Sequence, residues 1–526
     1  MLGRTGTALV ISVAVLGVAW SVGAGTPARR PPPRPQDPLL VRTHLPAPVT
    51  SVLAGPPQAV TASVAQALFA FAPVVVAASA SHPADLASAV SRAGLAHAPL
   101  LLTSAQAGTG AGSAAALHTE IRALHPRAVL AVGVAGSALA AQLPGIHVVT
   151  APARLPVTRP PAPLGHVVLL VHHGDSSAAT TAAVATARAA GVQVITVRGY
   201  DPRTDPAAIA ALAAARPQRV LAIGSGFGPV SRLAYRLAVA ETGMQLPGGG
   251  QVLFPMRRLV ALYGHPGDPS LGALGEQDLR TSIARARKVA RQYRRLSSVP
   301  VIPAFEIIAT VAEAHPGPDG SYSYESPLSL LGPWVKQATA AGMYVVLDLQ
   351  AGRASLLAQA KRYEPLLKLP NVGLALDPEW KLGPRQVPLR QIGSLSTGQI
   401  NGVSSWLAGL TARNHLPQKL LVLHQFQLSM ISNEPRLDTR HSDLAIVIHM
   451  DGQGTPQDQA EDMAGHHWGR PIRRIFRMEE LLHQGPPHAR PAADDGKDPG
   501  TGDDLIPVIK PSITSRGHVR RRHQPR

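Results

Sequence analysis

The chain predicts an α/β protein: N-terminal parallel-sheet α/β repeats, followed by a (β/α)8-like barrel whose C-terminal end departs from the pattern. Three observations carry this. Short Val/Leu/Ile runs alternate with amphipathic helical stretches along most of the 526 residues. The runs are apolar throughout, as in parallel strands covered on both faces. From Leu259 onward, six βα units follow one another at a spacing of roughly forty residues, which favours a barrel over an open doubly wound sheet.

The length suits two or three domains. Hydrophobic residues make up 45% of the chain and aromatics only 4%, so the core must be built mostly from Ala, Val and Leu. There is no cysteine, which excludes disulfides, thiolate metal sites and a cysteine nucleophile. Formal net charge is +18. Such a charge attracts polyanions of any kind: nucleic acid, a membrane surface or an anionic wall polymer. No basic segment is interleaved with aromatics as in single-strand binders. The basic run ARARKVARQYRRL (Ala284–Leu296) reads as a solvated helix face, and the final RGHVRRRHQPR as a loose tail.

In chain order, residues 1–25 read as a signal peptide or N-terminal anchor. Thr7–Ala24 is an apolar run, and Val22-Gly23-Ala24 offers small residues suited to cleavage. Either way, the remainder is expected outside the cytoplasm, secreted or associated with the wall or membrane. That location argues against nucleic acid as the partner, and leaves membrane attachment to the N-terminal segment alone. Residues 26–44 form a Pro-rich linker containing PARRPPPRPQDP. Residues 45–153 read as one α/β unit, with strands in PVVVAAS, APLLLTS and AVLAVG. A Pro-rich break at Ala153–Gly165 follows. Residues 164–246 repeat the order with VVLLVHHGD, VQVITVRGY and RVLAIGSGFG, and RPQRVLAIGSG echoes HPRAVLAVGVAG. Gly224, Gly226 and Gly228 lack the GxGxxG spacing and read as a tight turn, so no cofactor is expected there. After LPGGG (Leu246–Gly250), residues 254–463 form the barrel-like domain. Its strands are read at Leu259–His265, Pro300–Ile307, Met343–Leu349, Asn371–Asp377, Lys419–Gln425 and Leu444–Asp451. Residues 464–526 turn irregular and basic. There PIRRIFRM and DLIPVIKP are either weak last strands, part of an unstructured tail, or the product of a shifted reading frame near Met463.

The first unit resembles the cell wall-binding repeat 2 family. The likeness rests on VVVAASASHPADLASAV (Val74–Val90), HAPLLLTS (His97–Ser104) and HPRAVLAVGVAGSALAAQL (His125–Leu143). It implies a wall polysaccharide or anionic wall polymer as partner.

Functional residues of parallel barrels sit at the carboxyl ends of the strands. In that frame the six strands offer His265 and Asp268, then Glu306, Asp348, Asp377 with Glu379, His424 with Gln425, and His449 with Asp451. Singly, a polar group such as Asp268 or Glu306 at a loop needs no function. As a set, with carboxylates placed directly after continuous apolar runs, they point to a site. Glycoside hydrolysis fits paired carboxylates, one as general acid and one as nucleophile, base or stabiliser. On an extended strand Asp377 and Glu379 would face the same way. The Asp-x-Glu ending resembles the DxE motif of barrel-fold, lysozyme-like muramidases. That resemblance implies Glu379 as proton donor, with Asp377 or Asp348 as its partner. Trp380 would stack on a sugar ring, and His424, Gln425, His449, Asp451 and His265 would contact substrate. A metal set of His265, His424, His449 and Asp451 is the lesser alternative, because the HxH signature of metal-dependent barrels is absent; no metal is expected. The function expected is that of an exported wall-associated protein whose barrel hydrolyses a wall glycan. The alternative is a wall-binding protein with an inactive barrel.

Overall fold

The structure is a computed structural model and describes residues 37–103, 111–449 and 475–478. The expected signal segment, Asp451 and most of the tail lie outside the described residues. The protein is mixed α/β with mostly parallel sheets.

The two N-terminal units share one strand order. In the first, Val74–Ser79 is central, with Leu100–Thr103 on one side and Ala128–Val132 then Val148–Val149 on the other. In the second, Val167–His172 is central, with Gln193–Val197 on one side and Arg219–Ile223 on the other. The fourth place of the second sheet is taken by Thr50–Leu53, from the start of the stretch read as the first unit. The chain therefore crosses between the sheets, and Val64, Leu68, Val75 and Leu101 share one core with Leu169, Ala183 and Leu221. The Pro-rich stretches are not free spacers where they are described. Leu39–Leu40 pairs with Thr158–Arg159, Arg42–Thr43 pairs with Phe69–Phe71, and Val41 is buried. The paired residues carry no proline themselves, so no ladder donor is lost there.

The glycine cluster is a tight turn, as expected. Gly224 and Gly228 have positive φ on either side of the 3-10 turn Ser225–Phe227. A Cβ on Gly226 would lie 2.6 Å from the ring of Tyr200, which fills the space a phosphate would need.

The third part is built on parallel strands β1 (Arg258–Gly264), β2 (Val301–Ala312), β3 (Tyr344–Leu349), β4 (Val372–Leu376), β5 (Lys419–His424), β6 (Leu444–His449) and β7 (Ile475–Met478). They pair in chain order without reversal, and Ser323–Glu325 adds an antiparallel arm to the end of β2. Each expected apolar run is a strand. β2 continues past the expected Ile307 because Thr310–Ala312 pairs with that arm. PIRRIFRM supplies β7. DLIPVIKP is outside the described residues, among which β1 and β7 are the two edges of the sheet.

The sheet is curled, and its two faces bury different cores. Outward side chains such as Phe305, Leu347, Leu374, Leu421 and Ile446 pack against the helices. Helix Leu279–Tyr293 buries Ser282, Ala286, Val289 and Ala290, and exposes Arg287, Lys288 and Arg291, so its basic run is a solvated face. Inward side chains form a second core: Leu259, Ile302, Ala304, Tyr344, Val346, Ala375, Leu420, Val422, Ala445 and Val447. Leu246, Leu253 and Phe254 from the LPGGG segment join that core. Gly373 lies on the same face. A Cβ there would stand 2.7 Å from the Leu420 carbonyl oxygen and 3.0 Å from the Tyr344 hydroxyl, so glycine makes room for the tyrosine. Among the described residues no helix is long and apolar enough to cross a membrane.

Candidate functional site

Successive residues of a strand alternate between faces. Continuing the inward positions to the carboxyl ends gives Leu259, Ala261, Tyr263 on β1 and Ile302, Ala304, Glu306 on β2. It gives Tyr344, Val346, Asp348 on β3, and Gly373, Ala375 on β4 followed by Asp377. It gives Leu420, Val422, His424 on β5 and Ala445, Val447, His449 on β6. The apolar interior therefore ends in one polar layer: Tyr263, Glu306, Asp348, Asp377, His424 and His449. Asp348 is 0% exposed, and Glu306, Asp377, His424 and His449 are buried.

The layer is knit across strands. His424 Nε2 and Glu306 Oε1 are 3.0 Å apart, a contact between residues 118 apart in sequence. The His424 and His449 rings lie 5.1 Å apart, on adjacent and fully registered strands. Tyr263 donates its hydroxyl hydrogen to Asp348 Oδ2 at 3.3 Å. Gln350 Nε2 donates to that hydroxyl at 3.1 Å, and Gln350 Oε1 accepts from the Ala312 amide at 3.0 Å. One donor atom each from Glu306, Asp348 and His424 lies within 4.8 Å of the others.

The Asp-x-Glu segment is built differently from its expected strand geometry. β4 stops at Leu376, and Pro378–Trp380 is a 3-10 turn. Asp377 caps that turn, accepting the Glu379 amide hydrogen at 3.1 Å through Oδ1. The same-face inference for Asp377 and Glu379 fails because proline after Asp377 starts a turn instead of continuing the strand. Asp377 completes the inward layer, whereas Glu379 and Trp380 sit half-buried on the turn at the end of the sheet. Gly393 holds this turn from beneath, donating to the Glu379 carbonyl at 2.7 Å. A Cβ on Gly393 would fall within 2.5 Å of the carbonyl oxygens of Pro378, Glu379 and Lys381. Lys381 Nζ donates to the carbonyls of Gly352 at 3.0 Å and Ala354 at 2.9 Å, tying this loop to the one after β3; burial holds its pKa below the usual lysine range.

The remaining candidates are placed as follows. His265 is buried after β1, with Nε2 2.9 Å from Ser326 Oγ, and burial lowers its pKa, which favours neutral imidazole. Gln425 is buried directly after His424, and neither polar atom of its amide has a hydrogen-bond partner. Asp268 caps the turn Pro269–Leu271, accepting from the Ser270 amide and hydroxyl, which holds its carboxyl below the usual range. It serves the loop, as a single polar residue there needs no further role. Tyr263 and Gln350 are members of the layer or its support that strand-end reasoning does not name, and Glu306 is named there only as the polar end of its strand, with no role. Counting by two from Leu259 finds Tyr263.

No protein-family model matches the chain, and no curated protein or solved structure matches it either.

Proposed function

We propose that the protein acts outside the cytoplasm at the cell wall, and that its third part is a (β/α)8-like barrel that hydrolyses a wall glycan. The observation that carries the catalytic part is the polar layer at the carboxyl ends of six consecutive parallel strands, above a closed-packed apolar interior. Chain-order pairing without reversal supports the barrel reading over an open doubly wound sheet, where the order reverses at a switch point. Glu379, half-exposed on the turn, is assigned as proton donor. Asp377 beneath it is the partner carboxylate, with Asp348 deeper in the layer. Trp380 on the same turn offers a ring face to a sugar. The resemblance of the first unit to wall-binding repeats and the repeated strand order of the second support wall polymer as the partner. The exposed basic face of helix Leu279–Tyr293 suits a polyanionic wall.

The test is incubation of the purified exported form with intact walls, scoring sedimentation and release of reducing ends. Wild type is expected to do both. Glu379→Gln should keep sedimentation and reduce release by roughly a hundredfold or more, the scale of lost general acid catalysis. Release unchanged in Glu379→Gln overturns the catalytic assignment. Sedimentation with no release by wild type favours a binding protein with an inactive barrel, a reading that the capping role of buried Asp377 supports.

A further inference from the structure

We propose that Glu306, Asp348 and His424 together hold one divalent cation of the Zn2+ or Mn2+ class at the carboxyl end of the sheet. The inference does not depend on glycan cleavage: it leaves out the proton donor Glu379 and its partner Asp377, and shares only Asp348 with that reading.

Geometry comes first. The three donor atoms lie within 4.8 Å of one another. Donors sharing one ion at bond lengths of about 2.1 Å stand about 3 to 4 Å apart, so small side-chain adjustments would seat the ion. The donors come from β2, β3 and β5 of one hydrogen-bonded sheet, so backbone register fixes where each side chain starts.

Burial separates an ion from a sugar as the occupant. Asp348 is 0% exposed and Glu306 is 4% exposed, so neither is placed to touch a pyranose ring directly, and in the glycan reading Asp348 acts only from deeper in the layer. A cation needs only the donor atoms, which lie within 4.8 Å of one another. Among the described residues, Glu306 and Asp348 bring two carboxylates to one cluster, and a divalent ion between neighbouring carboxylates offsets their repulsion.

The donor chemistry selects the ion. Two carboxylate oxygens and one imidazole nitrogen suit borderline first-row divalent ions. Calcium takes six to eight oxygens, and a soft ion would want thiolates, which this chain lacks.

One further feature points the same way. Tyr263 donates to Asp348 Oδ2 and is itself held by Gln350, the kind of outer support that fixes a ligating carboxylate.

The full chain, stripped with a chelator and dialysed, is titrated with ZnCl2 and separately with MnCl2 by calorimetry, with thermal unfolding in parallel. One equivalent of at least one ion should bind and raise the melting temperature. Glu306→Gln and His424→Ala should each remove that equivalent or weaken it by roughly tenfold or more. Failure of both ions to bind wild type at millimolar concentration overturns the proposal, whether or not the variants fold. An unchanged equivalent in folded Glu306→Gln also overturns it, because the ion would then sit on surface histidines. Binding is read without glycan, so failure of sugar release leaves this result standing, and the reverse also holds.

Discussion

Lys419 shows how a single buried side chain writes a pH signature. It opens β5 on the outward face, fully buried, and its Nζ donates to the carbonyls of Leu369 at 2.7 Å and Val372 at 2.8 Å. Desolvation pushes its pKa down to about 7, from 10.5. Between those values the unfolded chain holds a proton that the folded chain has released. Stability from this group therefore rises with pH across that window, and its burial cost is fully present below about pH 7. The slope is at most about 1.4 kcal/mol per pH unit. In Lys419→Met the rise should vanish. Urea unfolding of both proteins from neutral pH to about 9.5 measures this, and parallel stability curves would refute it. The candidate site is equally a matter of single residues. Asp348, Asp377, His424 and His449 were legible because each closes an apolar run. Glu306 stood only as the polar end of its strand, with no role, since its partner His424 lies 118 residues away and only the sheet register brings them together.

At the scale of elements, the segment between β4 and β5 is where local chemistry is most explicit. Helix Thr397–Arg413 begins with a capping box: Ser396 Oγ accepts from the Gln399 amide, and Gln399 Oε1 accepts from the Ser396 amide. Two otherwise unsatisfied donors are met reciprocally. Ser396→Ala should cost about 1 kcal/mol, read as a lower denaturant midpoint at unchanged slope. A change below about 0.3 kcal/mol would mean that water replaces the cap at no cost. The turn Pro378–Trp380 carries the opposite lesson. Proline after Asp377 was a signal that the strand stops, and it outweighs the apolar run before it. The spacing of two residues between Asp377 and Glu379 therefore describes a capped turn, with one carboxylate facing inward and one held at the mouth.

At the scale of the molecule, one short segment joins the N-terminal units to the barrel-like part. Gln251 donates its side-chain amide to the Val239 and Met244 carbonyls and its backbone amide to the Arg203 carbonyl. Its own carbonyl accepts from the Gln418 amide, and Gln418 Oε1 accepts from Leu253. Arg257, fully buried, donates to the carbonyls of Pro247, Gly249, Val252 and Leu253, and burial pulls its pKa down to about 10. Phe254 enters the inward core beside Leu253. Phe254→Ala should destabilise the barrel-like part by about 3 to 5 kcal/mol through lost burial and a cavity. Calorimetry should show its transition shifted down, and an unshifted transition would mean that the segment packs against the sheet without sealing it.

The sequence by itself determined the α/β class, the six strands from Leu259 onward and the end of the sheet that carries polar residues. These follow from apolar period, proline and glycine punctuation and helix caps, all of which act within a few residues of chain. Only the tertiary structure decided that Thr50–Leu53 completes the second unit's sheet, that Leu39–Leu40 with Thr158–Arg159 and Arg42–Thr43 with Phe69–Phe71 form small two-stranded sheets, and that Glu306 meets His424. Each of those depends on which strands lie side by side. That choice is set by burying one shared core among distant segments, and no local spacing records it.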